Sequence, residues 1–241
     1  MPANVEEIFG NIFDSECRVL VNTVNCIGFM GKGIALEYKY RFPGLFDAYK
    51  QKCSSRELRI GTLFDYHDRS SGKIILNFPT KNDWKHPSRI EYLDAGLQEF
   101  CIYVNDGRFG NKPSIAFPIL GGQAGGLDPD KVIIKMNEYF QTLDENVIIQ
   151  IYRFDRSAKD ELFNKFYEKI KEWDVDEYVS YIGIKKQQAN KIHNNIHDAE
   201  GYISNMFGIQ MISGIGEETI KKIYEFAKKD DSEIPYQEKF F

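Results

Sequence analysis

The chain has 241 residues, 42% of them hydrophobic and 14% aromatic, which is ample for a conventional core and too apolar for a disordered chain. Its formal net charge of −5 argues against a protein that coats nucleic acid through a broad basic face, while leaving room for local contacts. No run of about 18 apolar residues offers a membrane span, and the opening MPANVEEIFG lacks the basic and apolar regions of a secretory signal.

Cys17, Cys26, Cys53 and Cys101 form neither a CxxC pair nor a zinc-like spacing, so the chain reads as a reduced, cytoplasmic protein. Along the chain, β-branched and alternating runs predict strands at 18–24, 63–67, 73–78, 114–118 and 147–154. Between them, residues 88–104 place Ile90, Leu93, Leu97, Phe100, Cys101 and Val104 on one helical face, and Ser88 with Glu91 predicts a capping box at its start. Asp128-Pro129 opens another helix, with Asp as N-cap, Pro in the first turn, and Val132, Ile133, Met136 and Phe140 facing inward. Strands alternating with helices mean an α/β sandwich around a mainly parallel sheet. After Phe154 the character changes: residues 156–241 hold no convincing strand and read as short helices rich in Lys, Glu, Asn and Tyr. The predicted organisation is therefore an α/β domain over 1–155 and a small all-α domain over 156–241, with a tail from Asp230 onward.

Three strand ends carry the chemistry. The first, NTVNCIGFMGKGIALEYK, follows a buried strand with Asn22 and Asn25, then Gly28, Gly31 and Gly33, before Ile34 begins a helix. Glycines let backbone amides approach a ligand, and a helix N-terminus favours negative charge, so the stretch suits a phosphate or diphosphate. It matches neither a P-loop nor a dinucleotide fingerprint, and a ligand-free Gly-rich connector is the competing reading. Lys32 is either solvated or a neighbour of the phosphate. The second, FPILGGQAGGLDP, again follows a strand and ends at a helix, with Gly121, Gly122, Gly125 and Gly126. Two such loops at carboxyl strand ends would wall a crevice. The third, NFPTKNDWKHPSR, runs from a strand into Lys81, Trp84, Lys85 and His86, either a substrate rim or a Trp lid over the core.

These three segments, in this order over about residues 4–154, resemble the macrodomain family, and within it the DarG-type branch that removes ADP-ribose from DNA. The resemblance implies a three-layer α/β/α sandwich holding ADP-ribose. Asn11, with Ile12 beside it, stands where macrodomains commonly place an Asp that binds the adenine amino group, and an Asn oxygen can accept the same bond. Asn22 and Asn25 match asparagines near the distal ribose. Gly31, Lys32, Gly33 and Ile34 match the segment that wraps this ribose and the diphosphate. Leu120, Gly121, Gly122, Gln123, Ala124, Gly125, Gly126 and Leu127 match the second phosphate loop, and Pro129 departs from the aromatic residue often found after it.

Lys81 matches the lysine on which the DNA-directed branch depends, as nucleophile, proton donor or electrostatic guide. A free lysine is mostly protonated at neutral pH, so nucleophilic attack requires a lowered pKa, to which Lys85 could contribute. Asp128 is the candidate catalytic partner, in competition with its N-cap role. Asn22 would position the substrate, and Trp84 and Lys85 would form a nucleic-acid rim, the indole stacking on an exposed base.

The implied activity is release of ADP-ribose from nucleic acid, thymidine-linked on single-stranded DNA, in opposition to a DarT-type toxin. The alternatives are an ADP-ribose reader without turnover and a hydrolase of protein-linked ADP-ribose or its esters. The expected partners are ADP-ribosylated single-stranded DNA, ADP-ribose and an ADP-ribosyltransferase toxin, with no membrane and no cofactor. In the C-terminal segment Gly183-Ile184 and Gly214-Ile215 echo each other at a period of 31 residues, reading as helix-hairpin-helix halves or as plain helix caps. His193 and His197 have zinc-compatible spacing, but no third ligand is evident, and no metal is expected.

Overall fold

Six strands form one sheet in the computed structural model, which describes residues 2–122, 124–197 and 203–230. They are β1 (Asn4–Gly10), β2 (Val19–Asn25), β3 (Phe64–His67), β4 (Ile74–Lys81), β5 (Ser114–Pro118) and β6 (Ile148–Phe154). Their order in the sheet is β1-β6-β5-β2-β4-β3, and every neighbouring pair is parallel except β3, which runs antiparallel to β4 at the edge.

Side-chain alternation distributes this sheet between two cores. Val19 and Val21 of β2, Ile74, Leu76 and Phe78 of β4, and Ile115 and Phe117 of β5 turn to one face. There α3 (Ile90–Asn105) and α4 (Pro129–Phe140) cover them with Leu93, Leu97, Phe100, Val132, Met136 and Phe140. Leu20, Ile75 and Ala116 turn to the other face, under Tyr38 and Phe42 at α1 (Gly33–Arg41) and Leu45 of α2 (Leu45–Ser54). The result is the three-layer sandwich, with its carboxyl strand ends on one rim.

Two local expectations need correction. β1 has no counterpart in the sequence reading, because Glu6 and Glu7 break the alternation of a strand that is paired only to β6 and half exposed. The capping box at Ser88 does not form. Helix α3 begins at Ile90 with Arg89 at the N-cap and no side-chain cap, because Ser88 N–H is already committed to Gly125 O at 2.9 Å.

The chain divides into two compact units, Met1–Asp155 and Arg156–Phe241. The second contains α5 (Glu161–Ile170), the single turn α6 (Val175–Glu177) running into a π-helical turn at Tyr178–Ile182, α7 (Lys186–His197), α8 (Met206–Gln210) and α9 (Glu217–Lys228). The 31-residue echo has two local counterparts in the structure. Gly183 and Gly214 both adopt positive φ, at 73° and 83°, before α7 and α9, and Ile192 and Ile223 are both fully buried. The Lys191 ammonium donates to Ser213 O at 2.7 Å, while Lys222 donates to Gly183 O at 2.8 Å, so each long helix holds the other's hairpin. The His193 and His197 rings lie 4.6 Å apart, tilted by 37°, with His197 Nε2 against the Tyr178 hydroxyl at 3.1 Å. The tail beyond Asp230 lies outside the described residues.

One carboxylate joins distant parts of this unit. Asp160 is fully buried; its Oδ1 caps α5 by accepting from Leu162 N and Phe163 N, and its Oδ2 accepts from Met206 N at 2.9 Å. Removing it orphans amides at the starts of two helices. Asp160→Ala is therefore expected to destabilise the second unit by about 2–4 kcal/mol, read as a lowered denaturant midpoint.

Candidate active site

The parallel trio β5-β2-β4 brings three connections to the same edge: residues 26–32 after β2, 82–89 after β4 and 119–128 after β5. β2 and β4 pair with Asn22 opposite Asn77, and after a register shift at Val24/Asn25 they pair Asn25 with Lys81. The loops then bond to one another. Cys26 N donates to Asn82 O at 3.2 Å, Ser88 N donates to Gly125 O, and Lys81 Nζ donates to Ala124 O at 2.6 Å. Sequence-predicted residues from all three segments thus come together at one edge of the sheet.

The two asparagines of the first segment do different work. Asn22 is fully buried, and its Nδ2 donates to Asn77 Oδ1 at 3.0 Å while Asn77 Nδ2 donates to Phe64 O at 3.2 Å. Its Oδ1 has no protein partner. Asn25 organises the turn that follows: Oδ1 accepts from Ile27 N, Phe29 N and the Tyr49 hydroxyl, and Nδ2 donates to Phe29 O at 2.6 Å. Beyond it, the Phe29 ring lies across Gly31, where an added Cβ would come within 2.2 Å of the ring. Gly33 needs glycine for its backbone, with φ +62° and open space above it.

The two helix starts at the crevice are electrostatically unequal. α1 has Lys32 at its N-cap, no side-chain cap and no acid in its first turn, so its leading amides remain free to meet an anion. α4 is already capped: Asp128 Oδ1 accepts from Asp130 N at 3.0 Å and Lys131 N at 3.1 Å, and Asp130 adds a carboxylate to the first turn. Asp128 makes no ion pair with Lys81, and the structure assigns it the N-cap. The second glycine loop instead offers tight backbone. Gly126 N donates to Gly122 O and Leu127 N to Gly121 O, and Leu120 is fully buried beneath. Gln123 lies outside the described residues.

Asn11 Oδ1 caps a short 3-10 turn by accepting from Phe13 N at 3.2 Å, and Ile12 is buried in the core under it. Lys81, at the end of β4, sends its ammonium to Ala124 O of the second glycine loop. Desolvation lowers its pKa below the usual lysine value, and no carboxylate ion pair opposes that shift. Cys26, whose thiol lies 3.4 Å from Lys81 O, is no alternative nucleophile, because burial, reinforced by Cys53, pushes its pKa up to about 11. Trp84 is exposed at the rim, with the Lys85 ammonium 5.6 Å from its ring centroid.

Sequence reasoning missed Asn77, Ser88 and Phe29. The signal for Asn77 was a polar residue inside an apolar strand, and that for Phe29 an aromatic residue between glycines. Ser88 caps no helix; its buried Oγ has no protein partner and sits against Gly121 and Gly125.

A family model described as Macro domain matches residues 21–136. The solved macrodomain of Mycobacterium tuberculosis DarG is 37% identical, the match covering 62% of this chain and 97% of that one at a TM-score of 0.57. The chain belongs to the macrodomain family. The macrodomain of Thermus aquaticus DarG is similar to the same degree, with 37% identity, coverage of 63% and 99%, and a TM-score of 0.58. Thermosipho africanus DarTG, solved in complex with ADP-ribose, is 31% identical over 65% of this chain and 43% of that one, at a TM-score of 0.57. Among curated relatives, a DNA ADP-ribosyl glycohydrolase of Thermus aquaticus is 40% identical over 146 residues, which are 59% of this chain. The chain spans about two fifths of the length of the curated relatives it matches, 38% for Mycobacterium tuberculosis and 39% for Thermus aquaticus.

The macrodomain's second loop separates two reasons for glycine. At Gly125 an added Cβ would lie 2.1 Å from Gly121 O and 2.5 Å from Ser88 Oγ, whereas Gly126 has φ +78° and no neighbour within 4 Å. Gly125→Ala is expected to cost about 1–3 kcal/mol and to strip hydrogen-exchange protection from the Ser88 amide. Gly126→Ala should cost roughly 1–2 kcal/mol through backbone strain alone and leave that amide protected.

Proposed function

We propose that this macrodomain is a DNA ADP-ribosyl glycohydrolase, acting on ADP-ribose linked to thymidine in single-stranded DNA. The observation that carries the reading is Lys81, the amine that β4 delivers to the crevice between the two glycine loops, its ammonium 2.6 Å from Ala124 O. A module that only retained ADP-ribose has no use for a desolvated lysine there. The names of the curated relatives support the same reaction. The fusion of a DNA ADP-ribosyl transferase with a DNA ADP-ribosyl glycohydrolase in Thermosipho africanus supports an ADP-ribosyltransferase toxin as the partner whose modification is reversed.

The free α1 N-terminus and the Gly31–Gly33 turn hold the diphosphate and the distal ribose, and Asn22 contributes its unpartnered Oδ1 to the polar floor beneath. Water adds to the anomeric carbon as the C–N bond to the base breaks, through an oxocarbenium-like state. The electron pair of that bond leaves on the base nitrogen. Protonated Lys81 gives that nitrogen its proton, the added water releases a proton to solvent as it becomes the anomeric hydroxyl, and Lys81 regains one from solvent, yielding ADP-ribose and unmodified DNA. A lowered amine pKa makes Lys81 a stronger acid than a free lysine.

The sign of the pH dependence follows. The acid form exists below the Lys81 pKa, so turnover should fall as pH rises through that pKa, below the ordinary lysine value of 10.5. Measured as ADP-ribose release from a modified oligonucleotide, Lys81→Ala should lose at least about 100-fold and also lose the alkaline limb. A variant with full turnover would eliminate the lysine-centred mechanism.

A further inference from the structure

Phe29 and Trp84 are both 46% exposed, although exposed aromatic pairs are costly to leave in water. They come from different loops and meet with ring centroids 5.1 Å apart at 35°. Neither is there by slack packing. The Phe29 backbone is clamped at both ends by Asn25, which accepts its N–H and donates to its C=O, and the Tyr49 hydroxyl fixes that amide in turn. Trp84 rides on a turn in which Asp83 Oδ1 accepts from Lys85 N and His86 N donates to Asp83 O. The Cys26 N to Asn82 O bond ties the two loops together.

The pair sits on the two connections that leave the sheet beside Asn25 and Lys81. Trp84 follows Lys81 in the same connection, and the Phe29 ring covers Gly31 in the turn that holds the ribose. Lys32 and Lys85, both exposed, supply positive charge on either side. An aromatic face flanked by cations and set beside a scissile base–sugar bond matches an unstacked nucleobase with its backbone phosphates.

We propose that Phe29 and Trp84 together form a stacking platform for the unpaired nucleobase next to the modified nucleotide, and that this platform restricts the enzyme to single-stranded DNA. The proposal rests on the glycohydrolase reading above. In a duplex the faces of each base are occupied by its neighbours, so only a base that has left the stack can lie on this surface. Phe29 adds to the contact that Trp84 alone would make, and its anchoring by Asn25 presents the surface preformed.

Two measurements test it. The first compares kcat/KM on an ADP-ribosylated single-stranded oligonucleotide with that on the ADP-ribosylated mononucleotide, which has no neighbouring base. Phe29→Ala and Trp84→Ala should each reduce oligonucleotide turnover roughly 10- to 100-fold and lower the oligonucleotide-to-mononucleotide ratio at least fivefold, with Trp84→Phe restoring most of it. A smaller change in the ratio overturns the platform. The second uses the full chain carrying Trp173→Phe, which leaves Trp84 as the sole remaining tryptophan of two. Its fluorescence should be quenched by unmodified single-stranded oligothymidylate and not by a blunt duplex. No quenching by the single strand, or equal quenching by both, overturns the platform. If the wild-type protein releases no ADP-ribose from any modified DNA while quenching persists, the glycohydrolase reading falls and takes the platform's role in substrate choice with it, leaving only a single-strand contact.

Discussion

The register of β2 against β4 is the constraint on which the site depends. In a parallel sheet, side chains alternate between faces, so a slip of one residue would exchange core and polar positions along the whole strand. Asn22 opposite Asn77 blocks such a slip, because the two buried amides satisfy each other only when aligned. The shift after Val24 then brings Asn25 level with Lys81, so the loop that Asn25 organises and the loop that Lys81 opens leave the sheet side by side. With β5 on the opposite side of β2, the second glycine loop closes the third wall.

Charge is distributed unevenly around that crevice. The free amides at the start of α1 supply the positive field, while α4 has its own carboxylates at the corresponding point. Two glycine loops that look equivalent as sequence therefore divide the work between an electrostatic wall and a steric one. Lys81 lies between them, where desolvation favours loss of its proton and no carboxylate holds that proton back. Burial, with Cys53 beside it, pushes the pKa of the nearby Cys26 thiol up to about 11, so desolvation acts in opposite senses on the thiol and the amine.

The second unit is built on a different principle. Its two glycine turns stand 31 residues apart, and each is bonded by a lysine from the long helix that follows the other. Buried Asp160 ties α5 to the start of α8, satisfying helix-end amides that the short elements cannot satisfy themselves.

Much of this was legible in the sequence, because strand alternation, helical periodicity, Asp-Pro at a helix start and the spacing of glycines are local signals. They located β2 to β6, the inward face of α4, the N-cap at Asp128 and the three segments that carry Lys81 and the glycine loops. What escaped was decided by partners distant in the chain. β1 is a strand because β6 pairs with it, Ser88 is not a cap because Gly125 takes its amide, and Phe29 meets Trp84 because β2 and β4 are parallel neighbours. Sequence by itself determined which residues could approach an anion or donate a proton. Only the tertiary structure decided that they face one another, since a hydrogen bond or ring contact across 40 or more positions is set by strand pairing and leaves no trace in local residue order.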